Sequence, residues 1–97
     1  MYTIEFHEDV EKDLKELGHS TRTLVIKKLL KIAENPLVGD DLGNKANQNL
    51  SGLKKVYVDN KRVRIVYKIV EEKIEVFVVA VAKRDSMEVY KKAASRT

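Results

Sequence analysis

The chain has 97 residues, of which 43% are hydrophobic and 35% are charged, so we expect a single domain with one modest core spanning residues 1–97. It contains no cysteine, which excludes disulfide bonds and thiolate zinc sites. The N-terminal residues lack the basic and apolar regions of a secretory signal, and no apolar run reaches the roughly 20 residues needed to span a bilayer. These features predict a soluble protein of the cytoplasm.

The formal net charge is +4, but the charge is unevenly distributed along the chain. Residues 1–49 carry 7 basic and 9 acidic side chains, whereas residues 50–97 carry 12 basic and 6 acidic ones. A basic half beside a mildly acidic half is typical of a protein with one face for a polyanion. The same imbalance is also compatible with an ordinary solvated surface.

The first third of the sequence predicts a short strand followed by two helices. Tyr2 to Phe6 alternates between polar and apolar residues, as a strand does. From Glu8 the apolar positions change to helical spacing, and a second helix with a broad apolar face runs on to Asn35-Pro36, where proline ends it. Gly18 separates the helices by a tight turn, so we expect an antiparallel αα-hairpin.

The remaining sequence predicts a loop and then three strands. Residues 37–49 are rich in Gly, Asn and Asp and indicate a loop. Strands are expected over Leu53–Val58, Arg62–Val70 and Lys73–Ala82, and the short connections make them an antiparallel meander. Glu88 to Ser95 can add a short C-terminal helix. The predicted fold is therefore α+β, with the order β-α-α-β-β-β and the helices packed on one face of an antiparallel sheet.

The middle predicted strand has two different faces. Its first face is apolar and is expected to pack against the helices, and it carries Val63, Ile65, Tyr67 and Ile69. The opposite face carries Arg64, Val66 and Lys68. An arginine in the interior of an apolar strand is not explained by strand propensity. This arrangement predicts a basic face on the side of the sheet away from the helices.

Further cations and a tyrosine are expected to join Arg64 on that face. Lys54 or Lys55 comes from the preceding strand, and Arg84 and Tyr90 follow the last strand. Fixed cations can stabilise the charge that develops on phosphorus, and a phenol can move a proton. RNA supplies its own nucleophile, the 2′-OH, so no serine or cysteine nucleophile is required. The set therefore favours chemistry on an RNA phosphodiester.

Three segments together resemble the RelE/ParE toxin superfamily, and more closely its RelE-type messenger-RNA interferases. They are Leu50–Val56, Val63–Ile69 and Val78–Tyr90. The resemblance implies the toxin of a type II toxin–antitoxin system, an endoribonuclease that cleaves messenger RNA in the ribosomal A site by 2′-OH transesterification, without a metal or another cofactor. It also implies a small acidic antitoxin as partner, with a toxin–antitoxin heterotetramer as one expected assembly, and the ribosome and messenger RNA as further partners.

The resemblance also assigns roles to residues of this sequence. The implied catalytic set is Arg64, Arg84, Tyr90 and Lys55, and the expected RNA-binding set is Lys54, Lys61, Arg62, Lys68 and Lys83. A second lysine of the RelE pattern falls near Tyr57 in this chain, which leaves the general base open between a lysine and a tyrosine.

Alternative interpretations stand beside these assignments. The alternative for Arg84 is a simple ion pair with Asp85 or Glu88, and the alternative for Tyr90 is a core aromatic that docks the C-terminal segment. The acids of the first helix are expected to be solvated, namely Glu8, Asp9, Asp13 and Glu16. For the whole protein, the alternatives are a ParE-like inhibitor of DNA gyrase without nuclease activity and a non-catalytic nucleic-acid module.

Overall fold

The computed structural model describes residues 1–45, 48–84 and 88–96 of the chain. Its helices are α1 (Val10–Lys15), α2 (His19–Glu34) and α3 (Glu88–Arg96). Its strands are β1 (Thr3–Phe6), β2 (Asp40–Asp41), β3 (Asn44–Lys45), β4 (Gln48–Asn49), β5 (Lys54–Val58), β6 (Val63–Val70) and β7 (Glu75–Lys83). None of the helices in these ranges is both long enough and apolar enough to cross a membrane.

Five strands form one sheet in the order β1-β7-β6-β5-β2. Strands β5, β6 and β7 are the predicted antiparallel meander, and the α+β class and the element order agree with the prediction. The sheet as a whole is mixed, because β1 lies parallel to β7, with Thr3 opposite Glu75 and Phe6 opposite Val78. The predicted loop at residues 37–49 also contributes, since Asp40 and Asp41 pair with β5 as the edge strand β2.

The sheet is covered on both faces. On the first face, the predicted apolar positions of β6 pack against the two N-terminal helices, where the most buried contacts are made by Val10, Val25 and Ile32. On the second face, Val66, Val79 and Ala82 pack against Val89, Tyr90 and Ala93 of α3. The face expected to be basic is therefore largely a second apolar core. α3 covers this core and leaves cations only near the ends of the strands.

A β-bulge allows β7 to contribute side chains to both apolar cores. Val66 lies opposite Ala80, but the next residue, Tyr67, lies opposite Val78, so Val79 has no partner of its own on β6. Val79 and Ala80 consequently both belong to the second core, while Val78 and Val81 belong to the first. An extra residue of this kind changes which face the following side chains occupy.

One buried carboxylate ties α1 to the sheet and to α3. Asp13 on α1 is only 1% exposed. It accepts hydrogen bonds from Arg96 at 2.6 Å and 3.1 Å, from Lys92 at 2.9 Å and from the backbone N–H of Val81 at 3.0 Å. We call Asp13, Lys92 and Arg96 the α3 clamp. The expectation that Asp13 is a solvated helical acid is wrong, because its neighbours in space come from residues far away in the sequence.

The Asp13 carboxylate is charged in the folded protein. Burial opposes its ionisation, but the hydrogen bonds from Arg96, Val81 and Lys92 outweigh burial and lower the pKa of Asp13 below its ordinary value. A lowered pKa means that the contribution of Asp13 to stability is complete above the ordinary pKa and is lost as the pH falls through the folded-state value.

Replacement of Asp13 by Asn should destabilise the fold, because it leaves the two cations of the α3 clamp without their carboxylate. We expect a loss of about 3 kcal/mol in the free energy of unfolding at pH 7, measured by urea denaturation. The difference from the wild type should begin to shrink below about pH 4, where the carboxyl of the unfolded chain becomes protonated, and should disappear once the pH falls below the lowered folded-state pKa of Asp13. Glu16→Gln is the control: Glu16 is an exposed partner of Lys92 at 3.6 Å, and its loss should cost less than about 1 kcal/mol. Equal effects of the two substitutions would contradict the clamp.

Gly39 holds β2 against the sheet through a close contact. Its N–H donates to the Tyr67 hydroxyl at 2.9 Å, and that hydroxyl donates to the carbonyl of Pro36 at 2.7 Å. A Cβ on Gly39 would lie 2.5 Å from the Tyr67 hydroxyl and 2.9 Å from the Lys55 carbonyl oxygen. Only a residue without a side chain fits there.

Gly39→Ala should therefore lower stability by about 1–3 kcal/mol, because either the buried Tyr67 or the backbone of β5 must move. Gly43→Ala provides a matched control in the same loop, since nothing lies within 4 Å of the position of its added Cβ. Thermal unfolding of both variants tests the contact, and a Gly39→Ala variant as stable as Gly43→Ala would show that the Tyr67 contact is not tight.

Candidate active site

The predicted catalytic residues meet at one end of the meander, where β5 ends, β6 begins and β7 ends. Tyr57 on β5 lies directly opposite Arg64 on β6, and Arg64 lies opposite Ala82 on β7. Lys55 is two residues before Tyr57 and so shares its face of the sheet. Arg84 follows β7 and its backbone N–H donates to the carbonyl of Arg62 at 2.7 Å. The strand register thus places residues from three strands side by side.

Tyr57 is the centre of this arrangement. The ammonium of Lys55 lies 4.3 Å from the centre of the Tyr57 ring and donates a hydrogen bond of 2.9 Å to its hydroxyl. The other cations around the ring are Arg64 at 5.6 Å, Arg84 at 5.9 Å and Lys61 at 6.0 Å. We call these four cations the cation ring. An aromatic face attracts cations at such distances, so the phenol helps to hold together charges that repel one another.

The cation ring changes the acidity of the phenol. The hydrogen bond from Lys55, supported by the charges of Lys55 and Arg64, lowers the pKa of Tyr57 from 10.0 to about 8. Partial burial acts in the opposite direction but is the weaker effect. About a tenth of the molecules would then carry a phenolate at pH 7, compared with about a thousandth for an ordinary tyrosine. Tyr57 is thus suited to accept a proton near neutral pH.

Arg64 is a buried cation with unused hydrogen-bonding capacity. Its side chain is 8% exposed, and its Nε and Nη1 groups find no hydrogen-bond partner among the described residues. Its guanidinium carbon lies 4.9 Å from the centre of the Tyr90 ring. Buried N–H groups without partners are costly, and a bound anion would satisfy them. A phosphate offers the oxygen acceptors that match a guanidinium.

Tyr90 reaches this site from α3. Its ring is 2% exposed and packs in the second core, where it contacts Arg64 as described above. The structure therefore brings together Lys55, Arg64, Arg84 and Tyr90, as predicted, although Tyr90 also has the core role that the sequence left open. Which of these residues takes part in a reaction stays a prediction.

The predicted RNA-binding cations separate into two groups. Lys54 is turned away from Tyr57, because it lies opposite Tyr67 and forms an ion pair of 2.7 Å with Asp41. Lys68 lies over the Phe77 ring, and it is four residues along β6 from Arg64, about 13 Å away. In contrast, Lys61, Arg62 and Lys83 lie beside Arg84 along a groove at the end of the sheet. Lys54 and Lys68 are thus not brought to the site.

Tyr57 was not predicted to be the centre of the site. The sequence signal was its position two residues after Lys55, which places both side chains on one face of a strand. What the sequence could not supply is the register that sets Tyr57 opposite Arg64. Within the described ranges there is no group of three or more His, Cys, Asp or Glu side chains that could hold a metal ion.

This small α+β domain is similar to toxins of type II toxin–antitoxin systems. The family described as "ParE toxin of type II toxin-antitoxin system, parDE" matches residues 4–87. The mRNA interferase toxin RelE of Escherichia coli is 33% identical over 95 residues, which cover 98% of this chain and 96% of the relative. The mRNA interferase RelE of Shigella flexneri shows the same identity and coverage.

Solved structures agree with these sequence matches. An arginine double mutant of the E. coli toxin RelE in the free state superposes with a TM-score of 0.78 at 30% identity, covering 98% of this chain and 96% of that one. RelE in the intact E. coli RelBE toxin–antitoxin complex gives a TM-score of 0.70 at 29% identity, covering 89% of this chain and 100% of that one. The chain therefore belongs to the RelE/ParE toxin superfamily.

The low pKa of Tyr57 is directly measurable. In a titration of ring-labelled tyrosines followed by NMR, Tyr57 should be the first of Tyr2, Tyr57 and Tyr67 to ionise, at about pH 8, because the pKa values of Tyr2 and Tyr67 are raised. Tyr57→Phe assigns the signal. Lys55→Met should move the Tyr57 pKa up towards 10, since it removes both the hydrogen bond and the charge. Lys68→Met, which removes a lysine from the distant part of β6, should leave it in place. An unchanged pKa in Lys55→Met would refute the proposed cause.

Proposed function

We propose that this protein is the toxin of a type II toxin–antitoxin system and that it cleaves messenger RNA as an endoribonuclease. The observation that carries the proposal is the buried guanidinium of Arg64, with two unpartnered N–H groups, beside an acidified Tyr57 in a ring of cations. Such a site can bind a phosphodiester and also remove a proton next to it. The names of the E. coli and S. flexneri relatives, both mRNA interferases, support the same activity.

In the proposed mechanism Tyr57 is the general base. Its phenolate takes the proton of the ribose 2′-OH, and the 2′-oxygen attacks the adjacent phosphorus. The P–O5′ bond breaks, leaving a 2′,3′-cyclic phosphate on one fragment and a 5′-hydroxyl on the other. Lys55 favours the phenolate between turnovers through its 2.9 Å hydrogen bond. A tyrosine thus acts as the general base at a position where the RelE pattern has a lysine.

The two arginines stabilise the charge on phosphorus. Arg64 is held by β6 and the second core, and its unpartnered Nε and Nη1 groups are themselves buried, so a phosphate reaches them only when α3 shifts. Arg84 is exposed on the turn after β7 and can close on the phosphate from the solvent side. For Tyr90 the resemblance allows orienting or protonating the leaving group, or stacking on a base, and we propose that it protonates the departing 5′-oxygen. Because its ring is 2% exposed, this role requires α3 to shift when RNA enters.

The expected place of the reaction is the ribosome. We expect cleavage in the ribosomal A site, in the cytoplasm, because the ribosome can supply the substrate geometry that a small open site lacks. We also expect a small acidic antitoxin to bind the chain, as RelB binds RelE in the E. coli complex. Acidic side chains of such a partner would pair with the cation ring and block the RNA site. A heterotetramer of two toxins and two antitoxins is the expected assembly.

Primer extension on a transcript translated in vitro should show cuts inside codons when the protein is added. Arg84→Ala should reduce cleavage about 100- to 1,000-fold, because it removes a cation that contacts the developing charge. Tyr57→Phe should reduce it by a comparable factor, since the base is lost. Lys27→Ala, an exposed lysine of α2, serves as the control with full activity. Absence of cuts by the wild type, or full activity in Arg84→Ala at unchanged thermal stability, would overturn the proposal.

A second candidate function is inhibition of DNA gyrase, which the match to the ParE toxin family raises. It would use the fold without using the Tyr57 site as a catalyst. A supercoiling assay with purified gyrase separates the two functions. Inhibition by both the wild type and Tyr57→Phe, without cleavage of translated RNA, would favour the gyrase target.

A further inference from the structure

A groove opens beside the Tyr57 site, between the α1–α2 turn and the β5–β6 turn. Its volume is about 670 Å³, within the range of about 300–1,000 Å³ that is usual for small-ligand sites. The residues that line it come from both turns and from the end of β7, and the ones used below are Leu17, Asp59, Lys61, Arg62, Lys83 and Arg84. We call it the turn groove. It is open to solvent, and two of its lining residues, Leu17 and Val63, belong to the first apolar core.

The charge of the turn groove is strongly positive. Four of its lining residues are cations, and all four side chains are exposed. In the part of the chain that the structure describes, none of these cations forms an ion pair with an acidic side chain. Asp59 is the acid among the lining residues, and one of its oxygens already accepts a hydrogen bond of 3.0 Å from Thr21. The groove therefore has several cations available for an anionic ligand.

The walls of the turn groove are held in place. The β5–β6 turn has three consecutive residues with left-handed backbone, Asp59 at φ 55°, Asn60 at φ 55° and Lys61 at φ 67°. Such conformations are unfavourable for residues other than glycine and persist only where surrounding contacts fix them. Here the Thr21 hydrogen bond and the bond from the Arg62 N–H to the Asp59 carbonyl, 3.0 Å long, provide that support. The backbone that carries the cations of the turn is thus fixed relative to α2.

The groove is continuous with the Tyr57 site. Arg84 and Lys61 belong to both, since each lies about 6 Å from the Tyr57 ring and each lines the groove. Leu17 and Val63 add apolar surface to the lining, and both are nearly buried. A polymer with a repeating phosphate and an apolar base face fits this combination, because consecutive phosphates are spaced closely enough for cations from adjoining sites to contact them.

We propose that the turn groove is a second RNA subsite, which holds a nucleotide next to the scissile phosphate, with Arg62 and Lys83 contacting its phosphate. The inference rests on the proposed function, because it takes the Tyr57 site as the position of the scissile phosphate. It assigns binding of the flanking nucleotide to residues that take no part in proton transfer. Cleavage at the Tyr57 site and binding of the strand in the turn groove are thereby assigned to different residues of one continuous surface.

Binding of short, non-cleavable RNAs tests this subsite. Oligonucleotides with 2′-deoxyribose at each nucleophile position are titrated into the full chain and followed by NMR at several salt concentrations. A dinucleotide has one phosphate, and a tetranucleotide has flanking phosphates on both sides of the central one. The wild type should bind the tetranucleotide more tightly, with a salt dependence steeper by about 0.7 in log–log slope for each added phosphate contact.

Arg62→Gln and Lys83→Gln should each weaken tetranucleotide binding about threefold to tenfold and reduce the salt slope, while dinucleotide binding changes less than about twofold. Lys27→Gln removes the same charge from α2, outside the groove, and should change neither. Both groove side chains are exposed, so all variants should fold, which circular dichroism verifies. Equal weakening of both oligonucleotides, or no weakening of either, would overturn the subsite. This experiment measures binding and not cleavage. If the groove binds the flanking phosphates as expected but the protein does not cut RNA, the proposed function is refuted and the subsite is not.

Discussion

The buried carboxylate of Asp13 is the interaction on which the arrangement of the whole molecule depends. It connects α1, the bulged strand β7 and the C-terminal helix α3, and it receives both cations of the α3 clamp. Because α3 covers the second face of the sheet, the clamp also fixes Tyr90 beside Arg64. A contact far from the phenol therefore sets the surroundings of the guanidinium. In this small protein, stability and the geometry of the candidate site have one common origin.

In the Tyr57 site, a cluster of like charges makes a phenol more acidic. Four cations close together would disfavour folding, yet the tyrosine ring gives each of them a favourable electrostatic neighbour. The same cations make the phenolate easier to form. A lysine in place of Tyr57 would add a fifth positive charge, and its own pKa would fall through repulsion.

Sequence reasoning succeeded where a local pattern carried the information. Alternation along Val63 to Val70 identified the strand, and the unusual Arg64 within it marked the site. It failed where the partner lies far away in the chain. Asp13 has the spacing of a solvated helical acid, and nothing near it indicates Arg96. The basic face was likewise expected to be open, because the apolar side of α3 was not assigned to cover Val66 and Val79. Tyr57 was named as a departure from the RelE pattern, but its role required the register opposite Arg64.

The parallel pairing of β1 with β7 also constrains how the chain can reach this structure. Thr3 lies in register with Glu75 and its N–H donates to the carbonyl of Ile74 at 3.0 Å, so the N-terminal strand has no sheet to join until most of the chain is available. Pairing of such distant segments closes a long loop and is entropically slow. During synthesis on the ribosome, β1 and the apolar face of the helical hairpin must therefore wait in an incompletely folded state. The last strand and α3 complete the sheet, both cores and the candidate site almost together.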